Sequence, residues 1–168
     1  IAEITDSGVK VYMFTGNHDV WIFDYLPKEI GVEVFRKPIV REYSGKKFYI
    51  AHGDGLGPGQ RGFKLLKWLF TNKIAQWLYS RLHPNATIAF AKRWSKKSRY
   101  AKGVAVDFLG DDKEYLILHA RDVLEKEHFD YFIFGHRHLP LEYNLNETSK
   151  LFYLGDWIEN FSYAVFDG

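Results

Sequence analysis

Three short β-rich runs in this chain each stop at a polar turn carrying histidine beside glycine, and that pattern restricts the fold more than any other feature. Val9 to Phe14 runs into Gly16-Asn17-His18-Asp19, Lys47 to Ala51 into His52-Gly53-Asp54, and Tyr131 to Phe134 into Gly135-His136-Arg137-His138. Short runs of Val, Ile, Tyr and Phe bounded by turn residues read as buried strands. Functional groups in layered α/β proteins gather beyond the strand ends. The three loops are therefore expected to face one site.

The rest of the chain fills in a mixed α/β layered fold. Residues 20–30 suggest a helix interrupted by Pro27, and 32–35 and 39–43 are short strands. From Phe63 to Leu82 apolar residues recur three or four apart with Lys64, Lys67, Lys73 and Arg81 between them, which predicts one helix. His83-Pro84-Asn85 breaks it, and 86–97 resumes as a second, basic helix. A third helix is expected over 114–128 after Gly110-Asp111-Asp112, and strands over 141–144, 151–154 and 163–166.

Composition narrows the chemistry. The 168 residues are 46% hydrophobic and 18% aromatic, enough for one sizeable core and unlike a solvated coil. There is no cysteine, so a bound metal must rest on His, Asp, Glu or Asn. Lys and Arg number 23 against 21 Asp and Glu, a balance that does not announce nucleic-acid binding. No apolar run approaches the roughly 20 residues of a membrane-crossing helix.

Singly, each histidine loop has an ordinary explanation. GNHD can be a turn held by Asn and Asp side chains, and the glycine-rich stretch from His52 to Gly59 can be a nest of backbone amides for phosphate. Together, Asn17, His52, His136 and His138 offer one amide oxygen and three imidazoles, a donor set suited to Mn, Zn or Fe. The spacing of His136 and His138 puts both on one side of an extended segment. His83, His119 and His128 read as structural: one precedes a proline in a turn, one lies inside a helix and one ends it.

GNHD at 16–19, HGD at 52–54 and GHRH at 135–138 stand in the order found in the calcineurin-like metallophosphoesterases, which this sequence resembles. The resemblance implies that Asn17, His52 and His136 coordinate one divalent ion and His138 a second, with His18 as general acid or transition-state stabiliser and Asp19 orienting it. It further implies two ions, Mn²⁺ by expectation, roughly 3.5–4 Å apart over the phosphoryl group. Members of that family open with DxH and GDxxD, and neither precedes Asn17 here. With the absence of an initial Met, this gives the expectation that residues 1–168 are the C-terminal portion of the domain. Alone, such a portion would bind metal weakly or at one position and would not turn over.

Within the family, the HGD loop, a basic aromatic insertion over 60–103 and the stretch Tyr153-Leu154-Gly155-Asp156-Trp157 resemble the UDP-2,3-diacylglucosamine diphosphatases of lipid A synthesis. His18 departs from that branch, whose better-known members carry Arg there. The resemblance implies cleavage of the substrate pyrophosphate to UMP and a lipid sugar 1-phosphate, by a cytoplasmic protein peripheral to the inner membrane. Aromatics and cations over 63–99 suit a cap over acyl chains or an anionic lipid surface. Arg93, Ser98, Arg99 and Lys102 could then reach the diphosphate. The competing readings are an insertion that simply completes the core of an enzyme for a soluble phosphoester, and a scaffold that has lost its metal site.

Overall fold

The computed structural model describes residues 1–85, 87–89, 91–93 and 107–168. Its centre is a five-stranded sheet in the order β3-β4-β5-β7-β6, built from β3 (Ile39–Tyr43), β4 (Lys46–Ala51), β5 (Tyr131–Phe134), β6 (Pro140–Asn144) and β7 (Lys150–Leu154). The three inner strands run parallel, and each edge strand pairs antiparallel with its neighbour. A separate pair, β1 (Tyr12–Phe14) and β2 (Glu33–Phe35), is also parallel. Arg41 of β3 links the two sheets by lying over the rings of Tyr12 and Phe35, 5.1 and 5.5 Å from their centroids.

The core explains why β5 is central. Its sequence YFIF buries Phe132 and Phe134 completely, on the face covered by α5 (Tyr115–Leu124). That helix turns Leu116, Ile117 and Ala120, all at 0% exposure, toward Phe129, Leu151 and Tyr153. Burying a side chain of this size stabilises the fold by roughly 1.5–3 kcal/mol each.

Register then places the loops. Ala51 pairs with Phe134, and Phe134 pairs with Tyr153, so β4, β5 and β7 finish level with one another. The segments starting at His52, Gly135 and Gly155 consequently leave the sheet at one end.

Several elements depart from the sequence reading. The expected helix over 63–82 is two, α3 (Arg61–Thr71) and α4 (Lys73–Ser80). Asn72 adopts an extended conformation between them, and its Oδ1 accepts the amides of Ile74 and Ala75 at 3.0 and 3.1 Å. A capping side chain thus starts a new helix where apolar periodicity alone would continue the old one. Helix α2 is only Tyr25–Ile30, and Pro27 lies in its first turn, where backbone N–H groups lack helical partners in any case. The strand expected at 9–14 is confined to β1, and the helix expected at 114–128 to α5. A one-turn helix, α1 (Ala2–Asp6), was not anticipated.

Residues 163–166 form no strand. Their apolar character is mostly unburied: Tyr163 and Val165 are exposed, while Phe166 alone packs, 5.0 Å from the Phe48 ring. The expected helix over 86–97 is helical where described, at 87–89 and 91–93, and its remainder lies outside the described residues.

Candidate active site

His52 follows the last residue of β4, and His136 follows Gly135 at the end of β5. Their rings meet edge to face with centroids 5.2 Å apart. The first loop closes on them from β1. A Cβ placed on Gly16 would stand 2.6 Å from both Cε1 and Nε2 of His52, so only glycine lets this backbone approach the imidazole. The Gly16 amide donates to Asp19 Oδ1 at 2.5 Å, which folds the turn carrying Asn17 and His18. Asn17 is half-buried and His18 exposed.

The electrostatics keep the imidazoles neutral. Burial pushes His136 down to about 4, assisted by the neighbouring His52, His138 and His18 and opposed by Asp54. Burial likewise lowers His52, with Lys67 and His18 adding to the effect and Asp54 and Asp19 resisting it. A neutral imidazole has a ring nitrogen with an available lone pair. In His52, Nε2 is buried and meets no hydrogen-bond partner among the described residues.

An orphaned buried nitrogen beside a second neutral imidazole fits a divalent ion of the Mn, Zn or Fe class, and Asn17 lies in the turn whose Gly16 backbone approaches that ring. Among the described residues no three His, Asp or Glu side chains gather as a cage for a cation. His52 and His136 contribute two imidazoles there, His138 lies out at the rim, and no carboxylate-bearing DxH or GDxxD is in this sequence.

His138 lies on the rim, with its side chain 57% exposed, and turns Nδ1 toward Asp156 at 3.5 Å. Two buried ionic contacts hold the loops in place. Asp54, 4% exposed, pairs with Lys67 of α3 at 2.8 Å and ties that helix to the HGD loop. Arg137, between the two histidines, donates to the fully buried Glu114 at 2.8 Å and to the carbonyl of Asp107 at 2.8 Å. Glu114 also accepts the Leu109 amide at 3.1 Å and the Tyr153 hydroxyl at 3.3 Å.

The structure therefore brings together the Gly16 turn, His52 and His136, and sets His138 beside them. Of the residues expected to reach a diphosphate, Arg93 is exposed on a described helical stretch, while Ser98, Arg99 and Lys102 lie outside the described residues. Asp54, Lys67, Glu114 and Asp156 were not among the expected site residues. The signal for Asp156 was present: Gly155-Asp156 closes a further strand at the same end of the sheet.

The sequence profile of the calcineurin-like phosphoesterases matches residues 1–140. The chain belongs to that family. Membership places it in a phosphoesterase family, one that implies divalent metal ions, on the mixed α/β fold described above. It is 38% identical over 181 residues to a UDP-2,3-diacylglucosamine hydrolase of Porphyromonas gingivalis, covering 100% of this chain and 69% of that protein. Proteins of the same name from Pseudomonas putida and Shewanella putrefaciens are each 25% identical, across 92% and 90% of this chain. The chain spans 65% and 61% of their lengths, so it represents roughly two thirds of such relatives.

Proposed function

We propose that this chain carries the histidine-rich half of the catalytic centre of a hydrolase that cleaves the pyrophosphate of UDP-2,3-diacylglucosamine. The products would be UMP and the diacylated sugar 1-phosphate. The observation that carries this reading is the meeting of His52 and His136 at 5.2 Å, against the Gly16 turn. The names of the relatives supply the substrate.

In this reading Asn17, His52 and His136 hold one divalent ion, Mn²⁺ by preference, and His138 contributes to a second. When bound, such ions polarise the phosphoryl group and activate water. The protein's own work is to present neutral ring nitrogens, keep the loops rigid and place His18 at the open rim, where it can donate a proton to the leaving oxygen. Asp19 positions the His18 turn through the Gly16 amide.

The helical insertion is assigned to the lipid part of the substrate and to peripheral contact with the inner membrane on its cytoplasmic side. None of the residues of α3 or α4 is buried, and Leu65, Trp68, Ile74 and Trp77 stand exposed. Lys64 and Lys73 lie on those helices, and Arg81, which caps α4, lies over the Trp77 ring at 5.0 Å. Exposed aromatics beside cations suit acyl chains under anionic headgroups. The same exposure counts against the insertion serving as ordinary core. No helix among the described residues is long and apolar enough to cross a membrane.

The test is release of UMP in the presence of Mn²⁺ by the product of the intact reading frame and by the 168-residue chain alone. Turnover of the diacylated substrate by the former only, with far slower cleavage of the deacylated analogue, is expected. Equal cleavage of both would point to a soluble phosphoester, and no turnover of any ester to a scaffold.

A further inference from the structure

The turn that follows β7 holds a carboxylate, Asp156, in a fixed position. Asp156 extends Oδ1 to the backbone amides of Ile158 and Glu159 at 2.8 and 2.7 Å, with Asn160 N farther off at 3.3 Å. Its other oxygen, Oδ2, accepts the Asn160 side-chain amide at 2.8 Å. The same Asn160 amide also donates to the backbone carbonyl of His138 at 3.3 Å. One side chain therefore fastens both the carboxylate and the histidine backbone.

The turn is built for this position. Gly155 has φ +73°, and a Cβ there would collide with Ser162 Oγ and approach the Pro140 ring at 2.8 Å. Ser162 Oγ in turn donates to the Leu154 carbonyl at 2.6 Å, closing the loop back onto β7. The Asp156 side chain is only 9% exposed although its loop lies at the surface.

What the fixed carboxylate faces is His138 Nδ1, at 3.5 Å. A carboxylate is an acceptor only, so the ring nitrogen beside it is favoured as N–H, and the lone pair of a neutral ring then lies on Nε2. Metal-holding histidines are commonly oriented in this way through their second nitrogen.

We propose that Asp156 is a positioning residue that fixes the tautomer and ring orientation of His138, leaving Nε2 free toward the pocket. Asn160 braces the pair. The inference deepens the reading of His138 as a ligand and rests on it, but the tautomer can be tested without any metal.

The experiment is ¹⁵N NMR of the histidine side chains of the metal-free 168-residue chain at pH 8.5, where imidazoles are neutral. His138 is expected to carry its proton on Nδ1. Asp156→Ala should shift the tautomer ratio by roughly tenfold toward Nε2–H, and Asp156→Asn, whose single oxygen is kept by the Ile158 and Glu159 amides so that its NH2 faces His138, should shift it the same way. A wild-type His138 protonated on Nε2, or an unchanged ratio in Asp156→Ala, would overturn the proposal. Should Asp156→Ala not fold, the wild-type tautomer and Asp156→Asn still decide it. Adding Mn²⁺ to the wild type separates the two claims: His138 signals that stay sharp would remove the ligand reading while leaving the tautomer result intact. If both hold, Asp156→Ala should raise the Mn²⁺ concentration needed to broaden His138 by about 10- to 100-fold.

Discussion

Arg137 and Glu114 form an ion pair at 2.8 Å, with side chains 13% and 0% exposed, directly beneath the loop that presents His136 and His138. The pair does more than fill space. Glu114 opens α5, and the Arg137 side chain also reaches the carbonyl of Asp107, so the helix, the segment leading into it and the histidine loop share one polar knot. Removing one partner strands a buried charge, which costs roughly 3–5 kcal/mol. Arg137→Met and Glu114→Gln should each lower the urea midpoint sharply. The pair of changes Arg137→Met with Glu114→Leu should lose much less than the sum, since no lone charge remains. Additive losses in a double-mutant cycle would show that the two side chains act independently.

Gly16→Ala separates site geometry from folding. The added methyl would occupy the place of the His52 ring, 2.6 Å from two of its atoms, yet the ring can swing aside. Stability should change by less than about 1.5 kcal/mol, whereas Mn²⁺ affinity should fall at least about tenfold. Calorimetry on both proteins checks this. An unchanged affinity would mean that His52 Nε2 does not face the ion.

The buried imidazoles also set a pH dependence. His136 is held at about 4 and His52 below the ordinary imidazole range, chiefly by burial. Unfolded imidazoles titrate near 6.5. Between about 6.5 and about 4 the unfolded chain therefore binds more protons than the native one, and stability rises with pH. The contribution is complete above about 6.5 and is lost as pH falls toward 4. Denaturation midpoints of the metal-free chain should decline steadily from pH 7 to pH 4.5, with a shallower decline in His136→Asn. A flat profile would contradict the burial of these rings.

Exposed tryptophans on the insertion should report lipid contact. Trp68 and Trp77 are 61% and 55% exposed, on α3 and α4 respectively. Vesicles containing phosphatidylglycerol should shift their fluorescence to the blue, and Trp68→Ala with Trp77→Ala should weaken vesicle association by about tenfold or more. Equal binding by the double variant would place the contact elsewhere.

Much of the site was legible because its residues sit in short motifs at strand ends. His52, His136 and Gly16 could be recognised before their distances were known, since strand, glycine and histidine repeat as a local pattern. The partners of those residues could not. Asp156 meets His138 only because β5 and β7 lie side by side in the sheet, and Glu114 meets Arg137 only because α5 packs against β5; neither is a local signal. The insertion shows the limit of periodicity from the other side. Its apolar positions continue smoothly past Asn72, and only the capping chemistry of that one side chain divides the helix. Residues 163–166 misled for a related reason: their composition suits a strand, but the sheet ends at β3 on one side and β6 on the other, and no ladder receives them.

The most direct measurement is a Mn²⁺ titration of the 168-residue chain followed through the histidine side-chain resonances. A shared pocket predicts that His52 and His136 broaden together at the lowest additions, with His138 close behind and His83, His119 and His128 unaffected. Broadening of His52 and His136 at clearly different Mn²⁺ concentrations, or of neither, would contradict the account.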